Sequence, residues 1–180
     1  IISILALSTL LIVIIVEIFM PFFVQLIAPG FIAEEEKFSK LIYTSRIIFP
    51  FLIFISISSI YSSILNANGK FALSAGLPII LNLVLCLSLI LAYYFSNDFL
   101  KFLSWGVLIA GIIQVLFLFF STRSNKIVIF FTSKISHLVK NFFNLFFPSF
   151  FSSGLLQINI LIGTIIASYE SGAVSYLYYA

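Results

Sequence analysis

Long apolar runs, one after another, leave this chain few ways to fold. A helix needs roughly 20 apolar residues to cross the hydrocarbon core of a bilayer. The sequence offers five such runs, Ile1–Ala28, Leu41–Leu65, Phe71–Phe95, Leu100–Phe120 and Phe143–Ser168, and a sixth opens at Ala173. In lipid only helices and closed barrels satisfy their own backbone N–H and C=O groups. These runs are too long and too continuous for barrel strands, which alternate over about ten residues. Charged residues are 8% of the chain and mean hydropathy is +1.25, against about 25% charged in soluble domains, so a water-facing surface cannot be assembled. The chain reads as an all-α polytopic membrane protein. It opens on Ile1, already inside an apolar run, and ends at "SYLYYA", which reads as an internal fragment of a longer protein. The single Cys86 lies in an apolar run and reads as an inert buried thiol.

Charge placement orients the runs. Lys70, Arg123, Lys126, Lys134 and Lys140 fall on one side without an acid. Glu34, Glu35, Glu36, Asp98 and Glu170 fall on the other, against Lys37, Lys40, Arg46 and Lys101. Cytoplasmic loops are enriched in Lys and Arg, so the Lys70 turn and the stretch 121–141 are placed inside, and Ile1 enters from the cytoplasmic face. Within 121–141, Lys134, His137, Lys140 and Asn141 share one helical side, opposite Ile135, Leu138, Val139 and Phe142. That pattern fits a helix lying in the interface and joining two bundles.

Polar residues inside the runs carry the functional signal, because Ser, Asn, Gln and Gly in membrane helices either join helices or line a wet cavity. Ser56, Ser59 and Ser63 share a face of the second run, and Asn66 extends it. In the fifth run Ser153, Gln157, Thr164 and Ser168 lie within about 60° at 100° per residue, while Ser152, Asn159 and Gly163 align on another side. Packing and pathway both remain open for these faces. Glu17 is the acid of the first run; a charge at depth is costly and marks a functional candidate. The following Met20-Pro21 leaves a shallower, structural reading open. Arg46, one turn before Phe49-Pro50, can snorkel to the headgroups or touch substrate. Pro21, Pro50, Pro78 and Pro148 each remove a backbone donor and bend their helices.

No catalytic pattern is visible. There is no phosphate-cradling Gly loop, no supported Ser-His-Asp set and no carboxylate pair at depth. The lone His137 has no His, Cys or carboxylate partner at metal-ligand spacing. The "EEE" run, Glu34–Glu36, lacks the oxygen spacing of a calcium loop and reads as solvated charge. No enzyme activity, cofactor, metal or nucleic-acid partner is expected.

Four stretches, in order and correctly spaced, resemble the MurJ (MviN) family of lipid II flippases, within the multidrug/oligosaccharidyl-lipid/polysaccharide exporter superfamily. They are "APGF" (Ala28–Phe31), the segment Ser45–Leu83 from "SRIIFPF" through "NANGK" to "LPIILNL", "GIIQ" (Gly111–Gln114), and Phe146–Ala180 with its "GAVSYLYYA". The specific positions are Arg46, Pro50, Asn66, Gly69, Phe71, Pro78 and Asn82. Asn66 and Gly69 suit a tight turn, Phe71 re-enters the bilayer, and Pro78 and Asn82 bend and tether the third run. Where family members often carry Pro in "FALPA", this chain has Ser74, which puts one kink in question.

The resemblance implies a two-lobe transporter fold of about fourteen helices, of which this chain would be the third to eighth. Residues 1–120 would belong to the N-terminal lobe, 121–141 to the cytoplasmic linker and 142–180 to the C-terminal lobe. Helices equivalent to the fifth and sixth runs line the central cavity in such proteins. The resemblance thereby favours Gln157, Asn159, Ser153, Thr164, Ser175 and Tyr178 as pathway residues, with Glu17 and Arg46 as further candidates. The family's cavity arginines fall outside this chain. The implied activity is movement of lipid II across the bacterial cytoplasmic membrane by alternating access, with lipid II, membrane lipids and a coupling ion as partners. Flipping of another polyprenyl-linked oligosaccharide and drug/cation antiport are the alternatives within the superfamily. A membrane glycosyltransferase would need acids in a catalytic cytoplasmic loop, and a purely structural subunit would not need Gln157 and Asn159 to be wet.

Overall fold

The computed structural model describes residues 2–95, 98–125, 127, 137–170 and 172–179, and within them every regular element is helical. Helices α1 (Ile2–Ile18) and α2 (Met20–Ile27) occupy the first run, α3 (Glu35–Ile48) and α4 (Phe51–Ala67) the second, and α5 (Phe71–Ala75) and α6 (Leu77–Phe95) the third. Then follow α7 (Phe99–Ser124), α8 (His137–Ala167) and α9 (Ala173–Tyr179). A 3-10 turn, Pro29–Ala33, separates α2 from α3. Among the described residues four stretches are long and apolar enough to cross a bilayer: Glu35–Ala67, Phe71–Phe95, Phe99–Ser124 and Pro148–Ala167. The α1–α2 pair makes a fifth if it is one broken span. The protein is therefore a multi-pass membrane protein.

Three expected rods are interrupted, and each interruption sits beside a proline. Pro21 has no N–H for the carbonyl four residues back at Glu17, and the helix breaks at Phe19. Pro50 opens the turn between α3 and α4, where the Phe49 N–H still reaches the Ser45 carbonyl at 2.8 Å. Before Pro78 the break falls at Gly76, whose carbonyl accepts from both Ile79 (3.1 Å) and Ile80 (3.2 Å). Ser74 itself lies inside α5, and the interruption at Gly76 leaves Phe71–Phe95 a single membrane-length stretch. Helix α8, by contrast, continues through Pro148, because losing one backbone bond does not end a helix whose neighbours re-satisfy the freed group. Of the expected connector 121–141, Ser121–Ser124 close α7 and His137–Asn141 open α8. Lys126 and residues 128–136, with Lys134 and Ile135 among them, lie outside the described residues, as do the side chains of His137, Lys140 and Asn141.

The chain forms two compact units, one of Ile1–Ile18 with Tyr43–Thr132 and one of Phe19–Ile42 with Ser133–Ala180. In the first, α7 packs against both α6 and α4, and α1 packs against α4. The contacts depend on small residues, which let backbones approach closely in lipid. A Cβ on Gly106 would fall 2.3 Å from Ser88 Oγ, and one on Gly111 would fall 2.6 Å from the Phe51 ring. Ser88 and Ser104 are buried on this seam and donate to carbonyls four residues back, Val84 (2.8 Å) and Leu100 (2.6 Å), which satisfies their hydroxyls locally. Between α1 and α4, Thr9 and Ser56 hydroxyls meet at 3.2 Å. Ile79, Leu83, Leu87 and Ile90 of α6 face outward and are exposed. An apolar exterior of this kind suits lipid as its solvent.

The α4–α5 turn shows why "NANGK" is written as it is. The Lys70 N–H bonds the Leu65 carbonyl at 2.9 Å and the Gly69 N–H bonds the Asn66 carbonyl at 3.0 Å. This is the paired C-terminal closure that needs a left-handed residue, and Gly69 supplies it at φ +74°. The Ser74 hydroxyl donates to Asn66 Oδ1 across the turn and so ties α5 to the end of α4. Beneath lies an apolar cluster of Tyr61, Leu65 and Leu118, with the Tyr61 ring edge-on to Phe119 and the Arg123 guanidinium 5.0 Å above the Phe119 ring. Gly69→Ala meets open space, so its cost is the left-handed backbone alone, about 1 kcal/mol. Gly106→Val must push α6 from α7 and costs about 1–3 kcal/mol. Thermal unfolding of the full-length protein in detergent measures both, and Gly106→Val is expected to melt lower.

Candidate functional site

The polar stripe of α8 resolves into distinct environments. Gln157 and Thr164 line a cleft of about 380 Å³ together with Tyr178 of α9 and apolar walls from Ile27, Ile158, Ile160 and Leu161. A space of this size takes part of a large ligand or all of a small one. Thr164 Oγ1 donates to the Ile160 carbonyl at 2.9 Å and stands 3.5 Å from the Tyr178 hydroxyl. The second distance is at the limit of a hydrogen bond, so the Tyr178 hydroxyl is only loosely engaged. Gln157 is exposed. The cleft therefore offers an amide and a phenol hydroxyl for uncharged hydrogen bonding, in walls that are otherwise hydrocarbon.

The other candidates on these helices are not brought into this cleft. Ser153, Asn159 and Ser175 are exposed outside its lining. The second polar side of α8 includes Gly163, where Leu177 of α9 packs, 3.4 Å from the position a Cβ would take. That part of the side packs α9 on α8; the Ser152 side chain lies outside the described residues. Ser168, last of the stripe, is 3% exposed and belongs to a different contact. Its Oγ accepts from the Gly30 N–H at 3.1 Å and donates to the Ile165 carbonyl at 2.7 Å.

In the other unit, Glu17 is the next-to-last residue of α1. One of its carboxylate oxygens is buried and without a hydrogen-bond partner. Arg46 is exposed on α3. The break at Phe19 puts Glu17 beside a helix end, where a charge costs less than it would at the middle of a span. A second cleft of about 400 Å³ is lined by Ser58, Ser59, Ser62 and Ser63 of α4, Pro78 of α6 and Gln114 of α7, among apolar residues. Gln114, 5% exposed, donates from Nε2 to the Leu77 carbonyl at 2.8 Å, just past the Gly76 break.

Gln114, Gly30 and Ser168 carry structural roles that sequence reading did not assign them. The available signal is an amide inside an apolar run at Gln114 and the family-like "GIIQ" and "APGF" segments. Pro50, Asn66, Gly69 and Pro78 stand at the breaks and the turn already described; Phe71 is exposed where α5 begins, and Asn82 is exposed on α6. Cys86, expected to be buried, is exposed, because its side of α6 faces away from α7. The "EEE" run pairs locally, Glu34 with Lys37 and Glu36 with Lys40, each at 2.6 Å. Among the described residues no group of three or more His, Cys, Asp or Glu is arranged to hold a metal.

Glu17→Gln removes a charge whose buried oxygen has no hydrogen-bond partner. It is expected to keep or raise the thermal stability of the full-length protein, by up to about 1 kcal/mol. A loss of more than about 1 kcal/mol would show that the charge is needed where it stands.

The family model described as lipid II flippase MurJ matches residues 1–180. A probable lipid II flippase MurJ of Rickettsia prowazekii (strain Madrid E) is 37% identical over 182 residues, covering 99% of this chain and 35% of the relative. Proteins of the same description from Rhizobium tropici and Rhizobium meliloti (strain 1021) are each 38% identical over 176 residues, covering 95% of this chain and 33% of each relative. The chain thus spans about a third of the length of the curated relatives it matches.

Proposed function

This chain belongs to the MurJ lipid II flippase family, and from that premise we propose that it forms part of a flippase carrying lipid II from the inner to the outer leaflet of the bacterial cytoplasmic membrane. The physical problem is the headgroup. A charged sugar-diphosphate cannot cross about 30 Å of hydrocarbon unaided. A flippase needs no covalent chemistry; it needs a polar path for the head while the polyprenyl tail stays in lipid.

The observation that carries this reading is the α8–α9 cleft. Gln157, Thr164 and Tyr178 gather polar atoms at one place, in a cleft whose other walls are apolar. Residues 1–120 and 142–180 are assigned to two lobes that rock between inward-open and outward-open, joined by the stretch 121–141. The breaks at Phe19, Phe49-Pro50 and Gly76 give the rods local hinges. The energy is assigned to the membrane potential or an ion gradient.

Two measurements test the proposal. Cells depleted of the protein are expected to stop translocating lipid II; normal translocation would remove lipid II as the substrate and leave another polyprenyl-linked glycan. In full-length protein with native cysteines replaced, Cys86 included, Gln157→Cys is expected to react with a water-soluble thiol reagent about tenfold faster than Asn159→Cys, since lipid excludes charged reagents. A Gln157→Cys thiol that stays unreactive in every state would mean a dry cleft and no pathway there.

A further inference from the structure

We propose that Gly30 and Ser168 form a latch that closes the outer end of the transport path and must part for the protein to open outward. This rests on the flippase reading and on the charge-based orientation, which places both the "APGF" loop and the "YESG" turn on the outer side.

The latch follows from two chain ends that cannot satisfy themselves. The 3-10 turn Pro29–Ala33 begins with a proline, so Gly30 supplies its first N–H, and a first-turn N–H has no partner within the turn. Ser168 directly follows the last residue of α8. Its hydroxyl donates to the Ile165 carbonyl, which leaves its oxygen free to accept, and it accepts from Gly30 at 3.1 Å. The partners are 138 residues apart. One lies in the loop after the first span, and the other ends the helix that carries Gln157 and Thr164.

Glycine is required at position 30 by space. A Cβ there would lie 2.1 Å from the Ser168 carbonyl oxygen, 2.3 Å from its carbon and 2.6 Å from the Tyr169 nitrogen. All three are backbone atoms, which cannot rotate away as a side chain could. Any side chain at 30 therefore holds the two segments apart. Ser168 is buried, as is Ala28 just before the turn, so the contact is partly shielded from solvent. A single hydrogen bond and a snug backbone contact suit a latch that opens in each cycle, since a net hydrogen bond is weak enough to break thermally. Separating them frees the α8 end beside the cleft.

The test uses the full-length protein with its native cysteines replaced by serine and one reporter, Tyr178→Cys. An impermeant maleimide is added outside intact cells or to inside-out vesicles. Gly30→Val is expected to raise outer labelling about tenfold and to lower inner labelling, because it converts a minor outward-open state into the dominant one. Ser168→Ala, which removes the bond without adding bulk, is expected to move both rates the same way by a smaller factor. If Gly30→Val fails to accumulate, Ser168→Ala decides alone. Labelling within about twofold of the parent on both sides overturns the latch, and so does a rise on both sides, which reports loosening and not a shift between states. Translocation of the lipid-linked precursor is scored separately in protein that keeps Tyr178. A parent that does not translocate it removes the substrate reading, while the labelling still decides the latch.

Discussion

Hydrocarbon offers no hydrogen bonds, so each place where a helix of this protein breaks leaves backbone groups that must find partners within the protein. At the α4–α5 turn the Leu65 and Asn66 carbonyls are taken by the Lys70 and Gly69 N–H groups, and Ser74 reaches Asn66 from across the turn. Beside the Gly76 break, the buried amide of Gln114 reaches the Leu77 carbonyl from α7. Where the chain leaves α2, the first N–H of the 3-10 turn goes to Ser168. Asn66, Ser74, Gln114 and Ser168 look out of place in so apolar a chain, and each has a partner at or beside an interruption.

The same solvent explains the packing. Helices in lipid gain little from burying leucine, since lipid tails are equally apolar, and associate instead by close contact and hydrogen bonds. Ser88 against Gly106 and Phe51 against Gly111 are such contacts. Gly111 and Gln114, one turn apart on α7, hold two features at once: the start of α4 just after Pro50, and the start of α6 just after Gly76. The "GIIQ" segment thus acts as the brace across two proline-associated breaks.

Around the α8–α9 cleft the division of labour runs along one helix. Thr164 satisfies itself on Ile160 and presents its oxygen toward Tyr178, Gln157 stays exposed, and Ser168 is fully engaged with Gly30 and Ile165. Residues that look equivalent by spacing serve different ends, two lining a cleft and one closing a backbone contact. The Gly30–Ser168 contact thus stands at the end of the helix that lines the cleft.

Membrane class, helix identity and the breaks near Pro21 and Pro50 were legible in the sequence, because they follow from local quantities: run length and the missing N–H of proline; that α8 would continue through Pro148 was not. Gly69 was legible for the same reason, since a left-handed turn is a local demand. Which polar residues meet was not legible. Ser153, Gln157, Thr164 and Ser168 fall within one arc of α8, and spacing cannot separate a residue that lines a cleft from one that locks to a loop 138 residues away. Nor could it tell that Gly30 is needed for the approach of a distant backbone and not for its own turn. Those outcomes depend on which helix arrives at which face, a distance relation between remote segments that only tertiary packing decides.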